Sequence, residues 1–273
     1  MAETTDRVSH WVRSRRLALA ALVGILACLP NGPTAAQSLI ELEKRHVKWG
    51  ALAYGTGAAV TYAYLREPLA DPEARNCRRM LPLEEVLRPA GIGDATFAAE
   101  VEEAFALWSE VADIRFREVD DLDDAQIVIG AQAVPRNIAY ANITLGEQRN
   151  DRINALSRAT ICLNPLAAWI LISDGDRSTY LVRRVIAHEI GHAIGLDHPG
   201  PVGGIMGYRY VEPTSGPIAA LEAGDIAAVR VLYGPMDTTR SPHLAAVPAP
   251  SERPPAKVTG RALVAPARDP ASP

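Results

Sequence analysis

Histidine is scarce in this chain, six in 273 residues, so any group of them carries information. Cysteine is scarcer still, at three. There is no surplus of positive charge. The net charge of −4 excludes the broad basic surface a nucleic-acid binder needs to neutralise phosphates. No run of like charge is long enough to act as an interaction tail. No internal repeat is present, and in particular no glycine-aspartate nonapeptide repeat of the calcium-binding kind. Beyond the N-terminal region no stretch is apolar enough to cross a membrane. What remains is ordinary globular material. Apolar residues make up 48% and charged residues 22%, over a length that suits one domain or two small ones.

The N-terminus reads as a targeting segment. Arg13, Arg15 and Arg16 precede the almost wholly apolar run Leu17 to Leu29, and Thr34-Ala35-Ala36 offers small residues for a signal peptidase. A bilayer-spanning helix needs about 20 apolar residues, so this run is short for an anchor. The expectation is a signal peptide over residues 1–36 and a secreted or periplasmic protein. Ser14-Arg15-Arg16 resembles a twin-arginine signal. Ile25-Leu26-Ala27-Cys28 loosely resembles a lipoprotein cleavage site, with Cys28 as the lipidated residue. Removing 1–36 leaves 24 basic and 30 acidic side chains and two cysteines, Cys77 and Cys162. An even pair in an exported protein suggests a disulfide, two free buried thiols being the other reading.

Residues 236–273 are dense in proline and alanine and lack periodic apolar positions, which marks a disordered tail. The domain therefore spans 37–235. Val60 to Leu65 is β-branched and aromatic and reads as a strand. Over 94–113, Phe97, Val101, Ala104, Phe105, Trp108, Val111 and Ala112 recur at helical spacing, with Asp94 or Thr96 as cap. Ile114 to Val119 alternates as a strand. Asp120 to Asp124 reads as a loop, Gln126 to Ile129 as a short buried strand ended by Gly130, and Ala159 to Leu163 as a further strand. Ser178 can cap a helix from Thr179 to Ile194, and a last helix runs from about Leu221 to Leu232. Strands mixed with a few long helices indicate an α+β domain, expected to be a monomer.

Three of the six histidines fall in His188-Glu189-Ile190-Gly191-His192-Ala193-Ile194-Gly195-Leu196-Asp197-His198. Residues four apart on a helix share a face, so His188 and His192 can address one metal ion. Gly195 can adopt a left-handed conformation, end the helix and turn the chain, which lets His198 return to the same ion. Three imidazoles leave one coordination position for water, the arrangement of a catalytic zinc site. Glu189 follows the first ligand and can act as general base.

This pattern resembles the signature of the metzincin metallopeptidases, and from Trp49 to Gly234 the chain looks like a bacterial matrixin-type member. Phe97 to Val119 resembles the first helix and following strand of matrix metalloproteinases, and Leu221 to Gly234 their last helix. The resemblance implies a twisted mixed β-sheet with long helices and a zinc-dependent endopeptidase acting on protein or peptide substrates. It also implies a tight methionine turn beneath the metal, which Gly204-Ile205-Met206-Gly207 matches. Pro199-Gly200 and Gly207-Tyr208 look more like serralysins. In that branch a tyrosine two residues after the methionine approaches the zinc, which makes Tyr208 a catalytic candidate. Tyr210 matches instead a matrixin tyrosine that walls the specificity pocket. Ile138 to Asn142 resembles the edge strand along which substrate lies.

The departures bound the cofactors. Matrixins of vertebrates hold a second zinc on three further histidines, but only His10, His46 and His243 remain here. The calcium-binding Ala-Asp-Ile step reads Ala125-Gln126-Ile127, so calcium is unsupported. One catalytic zinc is the expectation. Two other functions stay open, a zinc amide hydrolase acting on cell-wall peptides and a non-catalytic zinc-bearing surface protein.

Overall fold

A computed structural model describes residues 39–237, apart from 174, 177, 201–203 and 212–218. The signal, lipoprotein and tail assignments, and Cys28 with them, lie outside the described residues, which belong to one compact unit.

A short hairpin opens the domain, β1 (Glu41–Leu42) and β2 (Arg45–Lys48). Its two turn residues, Glu43 and Lys44, both take positive φ, as tight hairpin turns demand. The apolar run read from Val60 forms β3 (Ala58–Tyr64). A second hairpin follows, β4 (Leu69–Ala70) and β5 (Arg79–Leu81), then a helix that periodicity did not reveal, α1 (Glu84–Ala90). Seven residues give too few turns for a period, and Pro89 lies inside it. The long amphipathic stretch forms α2 (Asp94–Ser109), capped by Gly93 rather than by Asp94 or Thr96. It stops short of residue 113 because Ile114 starts β6 (Ile114–Glu118).

The remaining strands are β7 (Ile127–Gln132), β8 (Ala139–Arg149), β9 (Ile153–Leu163), β10 (Ala168–Ile170) and β11 (Thr179–Leu181), with α3 (Val182–Ala193) and α4 (Ala223–Tyr233) closing the unit. Gly130 does not end β7 but lies inside it. A Cβ there would come within 2.9 Å of Leu65, so glycine allows the chains to approach. Residues 179–181 do not start the zinc helix. They pair in parallel with β10, and α3 begins at Val182, so Ser178 is no cap and bonds Asp176 instead.

Strands β1 to β9 form one mixed sheet. The core runs β2–β9–β7–β3–β6 in parallel, and β8 lies antiparallel along β9. Since β2 and β7 occupy the other side of β9, β8 is an edge; among the described residues no strand pairs with its outer side. Helices α2 and α3 pack on one face. Trp108 is fully buried and its Nε1 donates to Ala187 O at 3.0 Å, while Arg183 forks onto Glu100 at 2.8 and 3.0 Å. Phe105 stacks between Tyr62 and Phe116, with ring centroids 4.4 Å away on each side. On the opposite face the loop after β4 is tied down by the Cys77–Cys162 disulfide, Cα atoms 6.5 Å apart, so the paired-cysteine reading holds. Among the described residues no helix is long and apolar enough to cross a membrane.

Candidate metal centre

Each histidine arrives for a separate local reason. His188 and His192 lie one turn apart on α3. Gly195 has φ 105°, and a Cβ there would run into the Val47 carbonyl, so no other residue fits the turn. The turn is sealed by Leu196 N–H donating to Gly191 O at 2.9 Å. It brings His198 back against the helix. The three Nε2 atoms then stand at 3.1 Å from one another on all three sides. A tetrahedral ion with nitrogens at about 2.0–2.1 Å spaces them by only slightly more, so the triangle fits zinc.

The other ring nitrogens fix the tautomers. His188 Nδ1 lies 2.7 Å from Ile205 O and His192 Nδ1 2.8 Å from Leu196 O. A carbonyl can only accept, so both Nδ1 atoms carry hydrogen and both Nε2 atoms present lone pairs to the centre. Burial, reinforced by the neighbouring imidazole, pulls His188 and His192 down to about 3 and His198 to about 4. The rings are thus neutral, as ligands must be. Among the described residues this is the one cluster of His, Cys, Asp or Glu able to hold a metal ion.

Beneath the triad, Met206 is 1% exposed and faces Gly191. A Cβ at Gly191 would collide with its Sδ and come within 3.1 Å of Trp108, which explains the glycine between the two helical ligands. Asp225, capping α4, accepts from Ile205 N–H at 2.9 Å and from Glu222 N–H at 3.0 Å. Arg184 holds Gly204 O at 3.3 Å from the other side. The Gly204–Ile205 peptide, which precedes the carbonyl that orients His188, is therefore held from both helices.

The end of α3 is held by residues that local reading passed over. Trp49 Nε1 donates to Ala193 O at 2.9 Å and Tyr233 Oη to Ile194 O at 2.8 Å, supplying donors to carbonyls the helix leaves orphaned. Lys48 is fully buried between them, with Nζ on the carbonyls of Trp49 and Ala51 and on Thr56 Oγ1, and burial draws its ammonium down to about 8.

Glu189 is 6% exposed. Burial pushes its carboxyl up to about 8, against the opposing pull of a hydrogen bond from Ala141 N–H. That bond places β8, the free sheet edge, beside Glu189. Tyr208 is 39% exposed, and its ring stands edge-on to His198 with centroids 6.1 Å apart. Tyr210 is turned elsewhere. Its hydroxyl accepts from Leu181 N–H at 2.9 Å and its ring meets Tyr180. Gln126, at the calcium-type step, accepts from Thr61 N–H at 3.0 Å through its side-chain oxygen.

Comparison with known proteins places this geometry. The chain is 31% identical to Metalloendoproteinase 1-MMP of Arabidopsis thaliana over 137 residues, 48% of this chain and 36% of that protein. It is 25% identical to Serralysin G of Dickeya chrysanthemi over 242 residues, 76% of this chain and 46% of that one. With Interstitial collagenase of Oryctolagus cuniculus the identity is 28% over 147 residues, 52% and 29% of the two chains. The chain thus spans less than half the length of these curated relatives. The matrixin family model matches residues 86–234, which takes in α2, the histidine triad, the methionine turn and α4. More than half of the sequence fits that model, and the residues it covers close around one zinc-shaped triangle of nitrogens: the chain belongs to the matrixin family.

Proposed function

We propose that the chain is an exported zinc-dependent endopeptidase that hydrolyses peptide bonds, with His188, His192 and His198 as ligands and Glu189 as general base. The observation that carries it is the convergence of three neutral imidazoles with a buried carboxylate that touches a free sheet edge. Zinc, when bound, supplies an acidified water and polarises the scissile carbonyl. Glu189 takes a proton from the attacking water on its carboxylate and hands it to the leaving amine nitrogen. A divalent cation beside it favours the ionised carboxylate and so opposes the upward push of burial. An extended substrate adds as a strand to the outer side of β8 and is held there by backbone hydrogen bonds. Export rests on the composition of residues 1–36.

Mass-spectrometric mapping of products from an unfolded protein tests the reading. Internal cleavages that stop when zinc is chelated are expected. Products confined to cell-wall peptides, with unfolded protein left intact, would overturn it.

Tyr208 is proposed to donate its hydroxyl to the carbonyl oxygen as that oxygen gains negative charge. Its place beside His198, and the engagement of Tyr210 with Leu181, support the choice. Tyr208→Phe should lower kcat by roughly 10- to 1,000-fold with little change in KM, since the bond matters in the transition state. Tyr210→Phe should be mild. A fully active Tyr208→Phe would leave the chemistry to zinc and Glu189.

A further inference from the structure

Among the described residues β8 is paired on one side only, and an edge strand of this kind has half of its backbone unsupported. Its side chains alternate between the two faces of the sheet. Ala139, Ala141 and Ile143 join the main core, and Ala141 N–H bonds Glu189. Tyr140 and Asn142 face the other way. There Tyr140 packs with Cys77 and Cys162 in a second, smaller apolar cluster. Asn142 is only 2% exposed, and a buried amide is costly unless its groups are bonded. Both are. Its Oδ1 accepts from Asn76 N–H at 3.0 Å, and its Nδ2 donates at 3.3 Å to the Oγ1 of Thr160, the residue opposite on β9.

Asn76 is in turn fixed through its neighbour. Cys77 is bonded to Cys162, which stands opposite Tyr140 in the β8–β9 register. The segment also closes on itself. Asp71 N–H donates to Arg78 O at 2.8 Å, Ala74 N–H to Asp71 O at 3.1 Å, and Arg78 Nε to Ala74 O at 3.2 Å. A closed loop, a disulfide and one amide side chain therefore back the part of β8 that meets Glu189. Farther along, the register with β9 slips after Thr144 and again before Arg149. We propose that Asn142 and the Cys77–Cys162 bond are positioning elements for substrate. They hold residues 139–143 in place from behind, so that an extended polypeptide can pair with the outer side of β8. Neither acts on the scissile bond. Glu189 is carried by α3, so the clamp governs binding rather than the chemical step. This rests on the strand-addition reading above.

The test compares zinc-loaded unsubstituted chain with Asn142→Ala, Cys77→Ser and the double variant, on a peptide whose cleavage site has been mapped. Zinc content should not change. KM should rise about 5- to 10-fold in each single variant with kcat within about twofold, the loss expected for one buried hydrogen bond that serves binding. The double variant should be no worse than the poorer single one, because both act through one path of contacts. Amide hydrogen exchange over residues 139–143 should quicken in each variant while exchange in α3 stays as it was. Unchanged KM, effects that multiply in the double variant, or exchange that quickens equally in α3 would overturn the proposal. If Cys77→Ser does not fold, KM and the exchange pattern of Asn142→Ala decide by themselves. Cleavage by the unsubstituted chain reports on the endopeptidase reading alone and exchange in β8 on the clamp alone, so the two failures are distinguishable.

Discussion

Glu189→Gln should bind zinc as the unsubstituted chain does and cleave peptides at least about 10³-fold more slowly. The carboxylate is not needed to hold the metal, because three imidazole Nε2 atoms already converge. Gln fills the same space and can still accept the Ala141 N–H, so the edge strand keeps its place. What it cannot do is take a proton at working pH. The measurement pairs metal content with kcat on a mapped peptide. Intact zinc with most of kcat retained would remove Glu189 from the mechanism. Lost zinc would make it a structural residue.

Removing the metal should lower the unfolding midpoint by roughly 8–15 °C. The folded state alone assembles the triad, since His188, His192 and His198 meet only when Gly195 has turned the chain. A ligand held by the native state at about a thousand times its Kd stabilises it by about 4 kcal/mol, and for a domain of this size each kcal/mol moves the midpoint by about 2–4 °C. Three imidazoles, one buried and two half-buried, left facing one another also lose the partner that justifies their packing. Calorimetry with and without a strong chelator, followed by zinc repletion, makes the comparison. A midpoint indifferent to chelation would mean that the triangle holds no structural share of the fold.

Local spacing explains why the centre was legible. The ligands lie four and six residues apart, so one helical turn and one glycine suffice to place them, and both appear in the structure. The disulfide was legible from a different argument, the pairing of two cysteines in a chain whose first residues read as an export signal, and its residues do meet. The support of the site was not legible. Trp49 and Tyr233 reach the end of α3 from sequence distances of 144 and 39 residues, and nothing local marks them. Lys48 reads as a surface residue until its three oxygen partners are seen. Residues 179–181 belong to a strand and not to the start of α3 because their parallel partner, β10, lies eleven residues upstream and overrides the helical pattern. Gly130 looked like a stop because glycine usually punctuates strands. Here the requirement was tertiary, room for Leu65. The bond from Leu181 N–H to the Tyr210 hydroxyl, 29 residues apart, was likewise out of reach of any local pattern.

The most direct test of a single-zinc endopeptidase is a titration of metal-free protein with zinc, following bound metal and peptide cleavage in the same samples. Cleavage should be absent at the start, rise in step with bound zinc, and reach its plateau at one equivalent per chain. Cleavage by metal-free protein, or a plateau that needs two tightly held equivalents, would contradict the account.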